Sequence, residues 1–356
     1  MSNFASVGVF ICSRVVGGHE HQMAEIVKDL SLRAHVTIYL NSSIFKDLFS
    51  IPSTTIVELP NKLLATGKLP VHFWNGLRLR RFLKHADYKY DFIIVSAGAV
   101  EAGLTVGLAF WKRVPMYLYL PFFYDRIPCW GKFFGFVYNQ ILIHVCKLFD
   151  FIITINRIQA HVLTSLTGIK TVIVPNLIRD VSEPILKRAG KLVFIGRLDH
   201  QKRVDELLQW IDFPENPYGE ILIMGDGPLR KNLENTAHQM EYIKATFTGW
   251  LSPEDQDRTL VTNDVLLLNS QLEGEPLVIR EAKRRGMNIL GRDIIGLRGI
   301  TRPTMRYKSC EELRMKLVKL NPKDSYNFKD CNNLDHRLNY RHLAIERLIN
   351  GYYFNN

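Results

Sequence analysis

Between Ser270 and Gly286 the chain reads Ser-Gln-Leu-Glu-Gly-Glu-Pro-Leu-Val-Ile-Arg-Glu-Ala-Lys-Arg-Arg-Gly, which places Glu273 in a turn and Glu281 inside the helix that follows. Two carboxylates so spaced accept hydroxyl hydrogens at opposite ends of one extended polar ligand. The preceding run, Val265-Leu-Leu-Leu-Asn-Ser270, has the character of a buried strand, so the turn lies at a strand's carboxyl end, where open α/β sheets bind ligands. A second cluster, Gly196-Arg197-Leu-Asp-His-Gln-Lys202, sets a guanidinium and an ammonium just beyond the strand Val193-Phe-Ile195, an arrangement suited to an anion. A third, Gly17-Gly18-His19-Glu20, lies between the first strand and the first long helix. Its glycines let backbone amides approach an anion, and the helix start adds its dipole.

Taken together, these segments resemble the donor site of retaining, nucleotide-sugar-dependent glycosyltransferases of the GT-B fold, family 4. The family's common form is Ser-x-x-Glu-Gly-x-(Gly/Pro) followed by a second glutamate, and Ser270, Gly274, Pro276 and Gly286 stand in family positions. Lys283-Arg284-Arg285 departs from the pattern by replacing a small apolar stretch, and Asn288 stands where proline is usual. The resemblance implies that Glu281 holds the donor's ribose and Glu273 the transferred sugar. It implies that Arg197 and Lys202 hold the diphosphate, with Gly17 and Gly18 contacting the same phosphates, and that Gly274, Glu275 and Leu277 line the donor. The catalytic set is then Glu273, Arg197 and Lys202, with His19 as a sugar contact. Gly225-Asp226-Gly227-Pro228 is expected to be a structural turn, and Thr248-Gly249-Trp250-Leu251 to flank the nucleotide base.

Asp255-Gln-Asp257 matches the Asp-x-Asp pattern by which another glycosyltransferase fold binds a divalent metal. Yet Ser252-Pro253-Glu254-Asp255 is the sequence of a helix start: a capping serine, a first-turn proline and acids that complement the helix dipole. No other group of His, Cys, Asp or Glu has ligand spacing, so neither a metal nor a cofactor is expected. The nucleotide sugar is a substrate.

Acceptor contacts are expected in the first half of the chain. Tyr124, Asp125 and Arg126 close the run Tyr117–Arg126 at a strand end, and Glu101 follows the strand expected at Asp91–Ser96. The helix expected at His72–His85 has Leu79, Phe82 and Leu83 on one side. Phe73, Trp74, Leu77, Arg80, Arg81 and Lys84 occupy the other, an aromatic and basic face suited to an anionic membrane surface.

Charge points the same way. Of the net +11, residues 1–180 carry +8, with 19 Lys/Arg against 11 Asp/Glu. A basic first half calls for an anionic partner, and no helix-turn-helix, zinc finger or RNP-type aromatic motif accompanies it, which argues against nucleic acid. Five scattered cysteines without Cys-x-x-Cys spacing fit a reducing compartment, and Val7–Cys12 fits a first strand better than a signal peptide. The richest apolar stretch, Phe133–Ile155, is broken by Asn139, Gln140, His144, Lys147 and Asp150 and is expected to be a core helix followed by a strand.

Short β-rich runs alternate with helical stretches: Val7–Ser13, His35–Leu40, Thr54–Leu59, Asp91–Ser96, Pro115–Leu120, Phe151–Ile155 and Thr171–Pro175. After a polar linker, Arg179–Lys191, the pattern restarts with Lys191–Leu198, Glu220–Met224, Ala245–Thr248, Val265–Asn269 and Asn288–Leu290. This predicts an α/β protein of two Rossmann-like domains facing a cleft. Residues 1–178 form the acceptor-side domain, completed by a C-terminal helix over 335–356 that crosses back, and residues 179–334 bind the donor. The expected function is transfer of a sugar from a nucleotide diphosphate, a UDP-sugar, to a hydroxyl of a lipid-linked, lipopolysaccharide or polysaccharide acceptor. Such an enzyme would be cytoplasmic and peripheral on the inner membrane face. The alternatives are a non-hydrolysing nucleotide-sugar epimerase and a non-catalytic nucleotide- or membrane-binding subunit.

Overall fold

A computed structural model describes residues 5–13, 17–60, 69–84, 89–97, 100–110, 114–121, 123, 132–177, 190–298, 300–320 and 334–349. The chain divides into two compact units, Met1–Leu177 with Asp335–Asn356, and Ile178–Leu334.

Unit 1 runs β1 (Ala5–Cys12), α1 (Gly18–Ser31), β2 (Ala34–Leu40), β3 (Thr54–Glu58), α2 (Leu69–Lys84), β4 (Phe92–Ala97), α3 (Val100–Phe110), β5 (Met116–Tyr119), α4 (Lys132–Cys146), β6 (Phe151–Thr154), α5 (Arg157–Thr167) and β7 (Lys170–Ile173). Its sheet is parallel, in the order β3-β2-β1-β4-β5-β6-β7. Successive strand side chains point to opposite faces, so a central strand covered on both sides reads as apolar throughout. On β1, Val7, Val9 and Ile11 enter one core with Met23, Ile26, Val27 and Leu30 of α1. Phe10 and Cys12 enter the other, with residues of α2, α3 and α4.

Unit 2 repeats the plan with β8 (Leu192–Ile195), α6 (Val204–Ile211), β9 (Glu220–Met224), α7 (Arg230–Ala237), β10 (Lys244–Gly249), α8 (Pro253–Thr259), β11 (Val265–Leu268), α9 (Leu277–Arg284), β12 (Asn288–Arg292), α10 (Ile295–Arg298), β13 (Arg306–Tyr307) and α11 (Cys310–Lys319). Its parallel sheet has the order β10-β9-β8-β11-β12-β13. The strand expected to reach Leu198 ends at Ile195, because Leu198 turns aside to bond Asp226 and Leu229 through its backbone. The expected linker falls largely outside the described residues.

The helix after unit 2, α12 (Leu334–Ile349), belongs to unit 1 from Asp335 onward. Ala344, Ile345 and Leu348 enter the α1 core. Arg341 is buried, with Nε donating to Asp29 Oδ2 at 2.7 Å and Nη1 to the Pro175 carbonyl at 2.8 Å. Removing one partner of such a pair strands the other charge, at about 3 kcal/mol or more. Arg341→Met should therefore lower the melting temperature by roughly 6–12 °C in a calorimetric scan, the loss falling on unit 1.

Candidate active site

In a doubly wound sheet, a crevice forms at the carboxyl ends of the two strands where the order reverses. In unit 2 these strands are β8 and β11, and the Arg197–Lys202 and Ser270–Glu281 segments follow them directly. Ties between the two loops are specific. The Gln201 side chain donates to the Leu272 carbonyl at 2.8 Å, and Gln271 N–H donates to the Gln201 carbonyl at 2.8 Å. Lys202 Nζ is ion-paired with the Glu273 carboxylate. Two groups far apart in sequence, each expected at a donor site, are thus in contact. Arg197 stands beside them with its side chain half exposed and Nε 3.7 Å from Asp199 Oδ2. A largely solvated guanidinium can turn to an incoming anion at little cost in lost pairing.

The loop carrying Arg197 is shaped by the Gly-Asp-Gly-Pro turn. Gly225 has φ +142°, and a Cβ there would lie 1.9 Å from the Gly196 carbonyl oxygen. That close approach allows Leu198 N–H to reach Asp226 and Leu229 N–H to reach Leu198, each at 3.0 Å. Asp226 is itself paired with Arg230 at 2.9 Å.

Glu281 lies half-buried on α9, and its carboxylate has no hydrogen bond or ion pair among the described residues. Glu275, by contrast, is buried against Arg280, which occupies its carboxylate. Gly274 is buried and Leu277 opens α9. Sequence reasoning missed the backing of this turn. Gly296 on α10 packs so closely that a Cβ would lie 2.1 Å from the Glu273 carbonyl oxygen. Overpacking against backbone has no soft way out. Gly296→Ala should therefore displace the turn that carries Glu273 and destabilise unit 2 by about 1–3 kcal/mol, read as a fall in melting temperature. Asn269 was missed too. Its amide donates to the Arg203 carbonyl at 3.1 Å and to Glu206 at 2.8 Å, and the Tyr307 hydroxyl lies 3.1 Å from its oxygen. A polar residue ending an apolar strand was the available signal.

The Asp-x-Asp segment is spoken for: Ser252 caps α8 by accepting Asp255 N–H at 3.1 Å and donates its hydroxyl to Asp255 Oδ2 at 2.8 Å, and Asp257 is paired with buried Arg285. The basic departure Lys283-Arg284-Arg285 thereby gains a partner for Arg285, and Lys283 Nζ donates to the Ile300 carbonyl at 2.6 Å. Trp250 is exposed beyond β10.

In unit 1 the order reverses between β1 and β4. His19 sits at this point with Nε2 2.8 Å from Ser96 Oγ and its ring 4.9 Å from that of Tyr119. Burial holds the imidazole below its ordinary pKa against the opposing pull of the Glu20 carboxylate, so the ring is neutral at pH 7. Gly17 N–H donates to Glu20 Oε2 at 2.9 Å, whereas Gly18 is exposed with nothing within 4 Å of the Cβ position. Gly18 is therefore the more open of the two to a ligand. Nearby, Ser13 Oγ and Asn41 Oδ1 are buried without hydrogen-bond partners among the described residues. Glu101 falls in the first turn of α3, but its side chain, like Tyr124, Asp125 and Arg126 entirely, lies outside the described residues.

Comparison with known proteins bears on this geometry. The family model for glycosyl transferases group 1 matches residues 180–305. A protein of Klebsiella pneumoniae described as an uncharacterized 41.2 kDa protein in the cps region is 26% identical over 113 residues, 32% of this chain and 30% of that protein. Among solved structures, HepE of Anabaena in complex with UDP and glucose superposes with a TM-score of 0.68 at 13% identity, covering 99% of this chain and 100% of that one. The apo lipopolysaccharide outer core galactosyltransferase WaaB gives 0.65 at 18%, covering 98% and 97%. The chain therefore has the GT-B fold, and its second unit carries a glycosyl transferases group 1 domain.

Proposed function

We propose that the protein is a retaining glycosyltransferase that moves the sugar of a UDP-sugar to a hydroxyl of a lipid-linked or lipopolysaccharide acceptor, without a metal. The observation carrying this reading is the meeting of Lys202 and Glu273 at the reversal point of the unit 2 sheet, beside Arg197. Breaking a glycosyl–phosphate bond leaves negative charge on the departing diphosphate, and fixed cations there stabilise the transition state more than the ground state. Arg197 and Lys202 supply that charge, Glu273 meets the sugar, and Glu281, without a partner among the described residues, accepts from the ribose hydroxyls. Unit 1 takes the acceptor, with neutral His19 as a hydrogen-bonding group. The UDP and glucose bound by HepE and the lipopolysaccharide acceptor class in the name of WaaB support the substrate classes.

The enzyme works peripherally at the inner face of the cell membrane. No helix among the described residues is long and apolar enough to cross a bilayer, while α2 exposes Phe73 and Trp74 beside Arg78, Arg80 and Arg81. The test is incubation with a panel of UDP-sugars and a lipopolysaccharide-derived acceptor, followed by NMR of the product. A new glycosidic bond with the donor's anomeric configuration, formed at the same rate in EDTA, is the expected result. Inverted product, an EDTA-sensitive rate, or donor epimerised without acceptor would each overturn a stated part of the proposal.

A further inference from the structure

The first turns of α4 face water where the sequence pattern predicts core. Phe133, Phe134 and Phe136 are 72%, 70% and 55% exposed, and Val137 is 42% exposed. Farther along, the outward positions become Gln140 and His144, both exposed, while Leu142, Val145 and Cys146 enter the core shared with α2 and α3. The aromatic character of the outer face is therefore confined to the start of the helix. A chain that places Gln and His on that stripe later has no packing reason for three phenylalanines on it earlier, and an exposed apolar patch of this kind marks an interaction surface.

The start of α2 has the same design. Val71, Phe73, Trp74 and Leu77 are exposed and are followed by exposed Arg78, Arg80 and Arg81. Both helices pack on α3. The α2 contact is close enough that a Cβ on Gly76 would lie 3.0 Å from Leu108 Cβ. Each is a crossover helix of a parallel sheet, so each begins on the carboxyl side of the strands. The two aromatic starts thus share one end of unit 1, with the arginine row beside them.

We infer that the first two turns of α4 are a membrane-insertion element, whose phenylalanines enter the boundary between headgroups and acyl chains of an anionic bilayer while the α2 arginines bind the headgroups. The inference rests on the peripheral membrane reading given above and adds its apolar half. Charge selects the bilayer as occupant: neither α2 nor α4 contains an acidic residue. A second copy docked through the same face would set two arginine rows against each other. Stable attachment to a bilayer generally takes two signals, and this end of the unit holds one of each kind.

Sedimentation with vesicles of phosphatidylglycerol and phosphatidylcholine, or of phosphatidylcholine alone, in low and high salt separates the two halves. Wild type should bind anionic vesicles in low salt and keep a measurable fraction bound in 0.5 M NaCl. Phe133→Ser/Phe134→Ser/Phe136→Ser should lose the salt-resistant fraction, about tenfold or more in partition coefficient. Phe133→Leu/Phe134→Leu/Phe136→Leu should restore it. Arg78→Glu/Arg80→Glu/Arg81→Glu should instead lose the preference for anionic lipid. The serine variant should keep the wild-type melting temperature and its affinity for UDP, because the changed side chains are exposed on unit 1. If wild type binds anionic vesicles but the serine variant matches it at every salt concentration, the insertion element falls and the electrostatic reading stands. If wild type ignores both vesicle types, that reading falls and takes the inference with it. If the serine variant converts a wild-type dimer to monomer in light scattering, the face is a protein interface and the inference is wrong.

Discussion

On the proposed reading, Lys202→Met should lower kcat for sugar transfer by about two to three orders of magnitude, the loss seen when one preorganised donor to a developing charge is removed. The variant should also bind UDP more weakly in calorimetry, since on that reading the ammonium would face a diphosphate in both states. Arg197→Ala should fall in the same direction. The ion pair with Glu273 makes the lysine result more than a loss of one contact, because the deletion would leave a part-buried carboxylate uncompensated where the anionic donor is proposed to bind. Combining Lys202→Met with Glu273→Gln should therefore cost less than the two single effects multiplied, a coupling that steady-state kinetics on the four proteins resolves. Near-wild-type transfer by Lys202→Met would remove this residue from the site.

The two glutamates part company when each is changed to glutamine. A group that grips only ribose stabilises ground state and transition state alike, so Glu281→Gln should raise KM about tenfold with kcat little changed. Its carboxylate has no partner among the described residues to disturb. On the proposed reading Glu273 would meet the sugar as that ring gains positive character, so Glu273→Gln should lower kcat by about 10²-fold or more while UDP affinity stays close to wild type. Calorimetry with UDP beside kinetics with the UDP-sugar reads both quantities. Loss of UDP binding in Glu273→Gln with none in Glu281→Gln would reverse the assignment.

Much of the scaffold could be read from one-dimensional pattern, since buried parallel strands are continuous apolar runs and α1 shows its inward stripe at helical spacing. The strand at Glu220–Met224 appears where expected, and others differ at their ends by one to three residues. The short β13 carries no periodicity and escapes such reasoning. The polar groups of unit 2 were visible because they lie within contiguous segments after strands. Their partners were not: Gly296 behind Glu273, Arg280 on Glu275 and Arg285 on Asp257 are contacts across elements, with no trace in local spacing. The reverse failure occurred at α4, where apolar composition suggested core and tertiary context left the first turns uncovered.

The return of α12 to unit 1 has a consequence for biosynthesis. The unit made first on the ribosome lacks Ala344, Ile345 and Leu348 of its own core, and the arginine that neutralises Asp29, until residues 334–349 emerge. All of unit 2 is translated before that. Unit 2 is contiguous and can close as it leaves the tunnel, whereas unit 1 waits, with the α1 surface uncovered, for the whole of the second domain to be synthesised. In vectorial synthesis the second-made unit is thus the first to be finished, and a nascent chain stalled before Leu334 presents a folded unit 2 attached to an open unit 1.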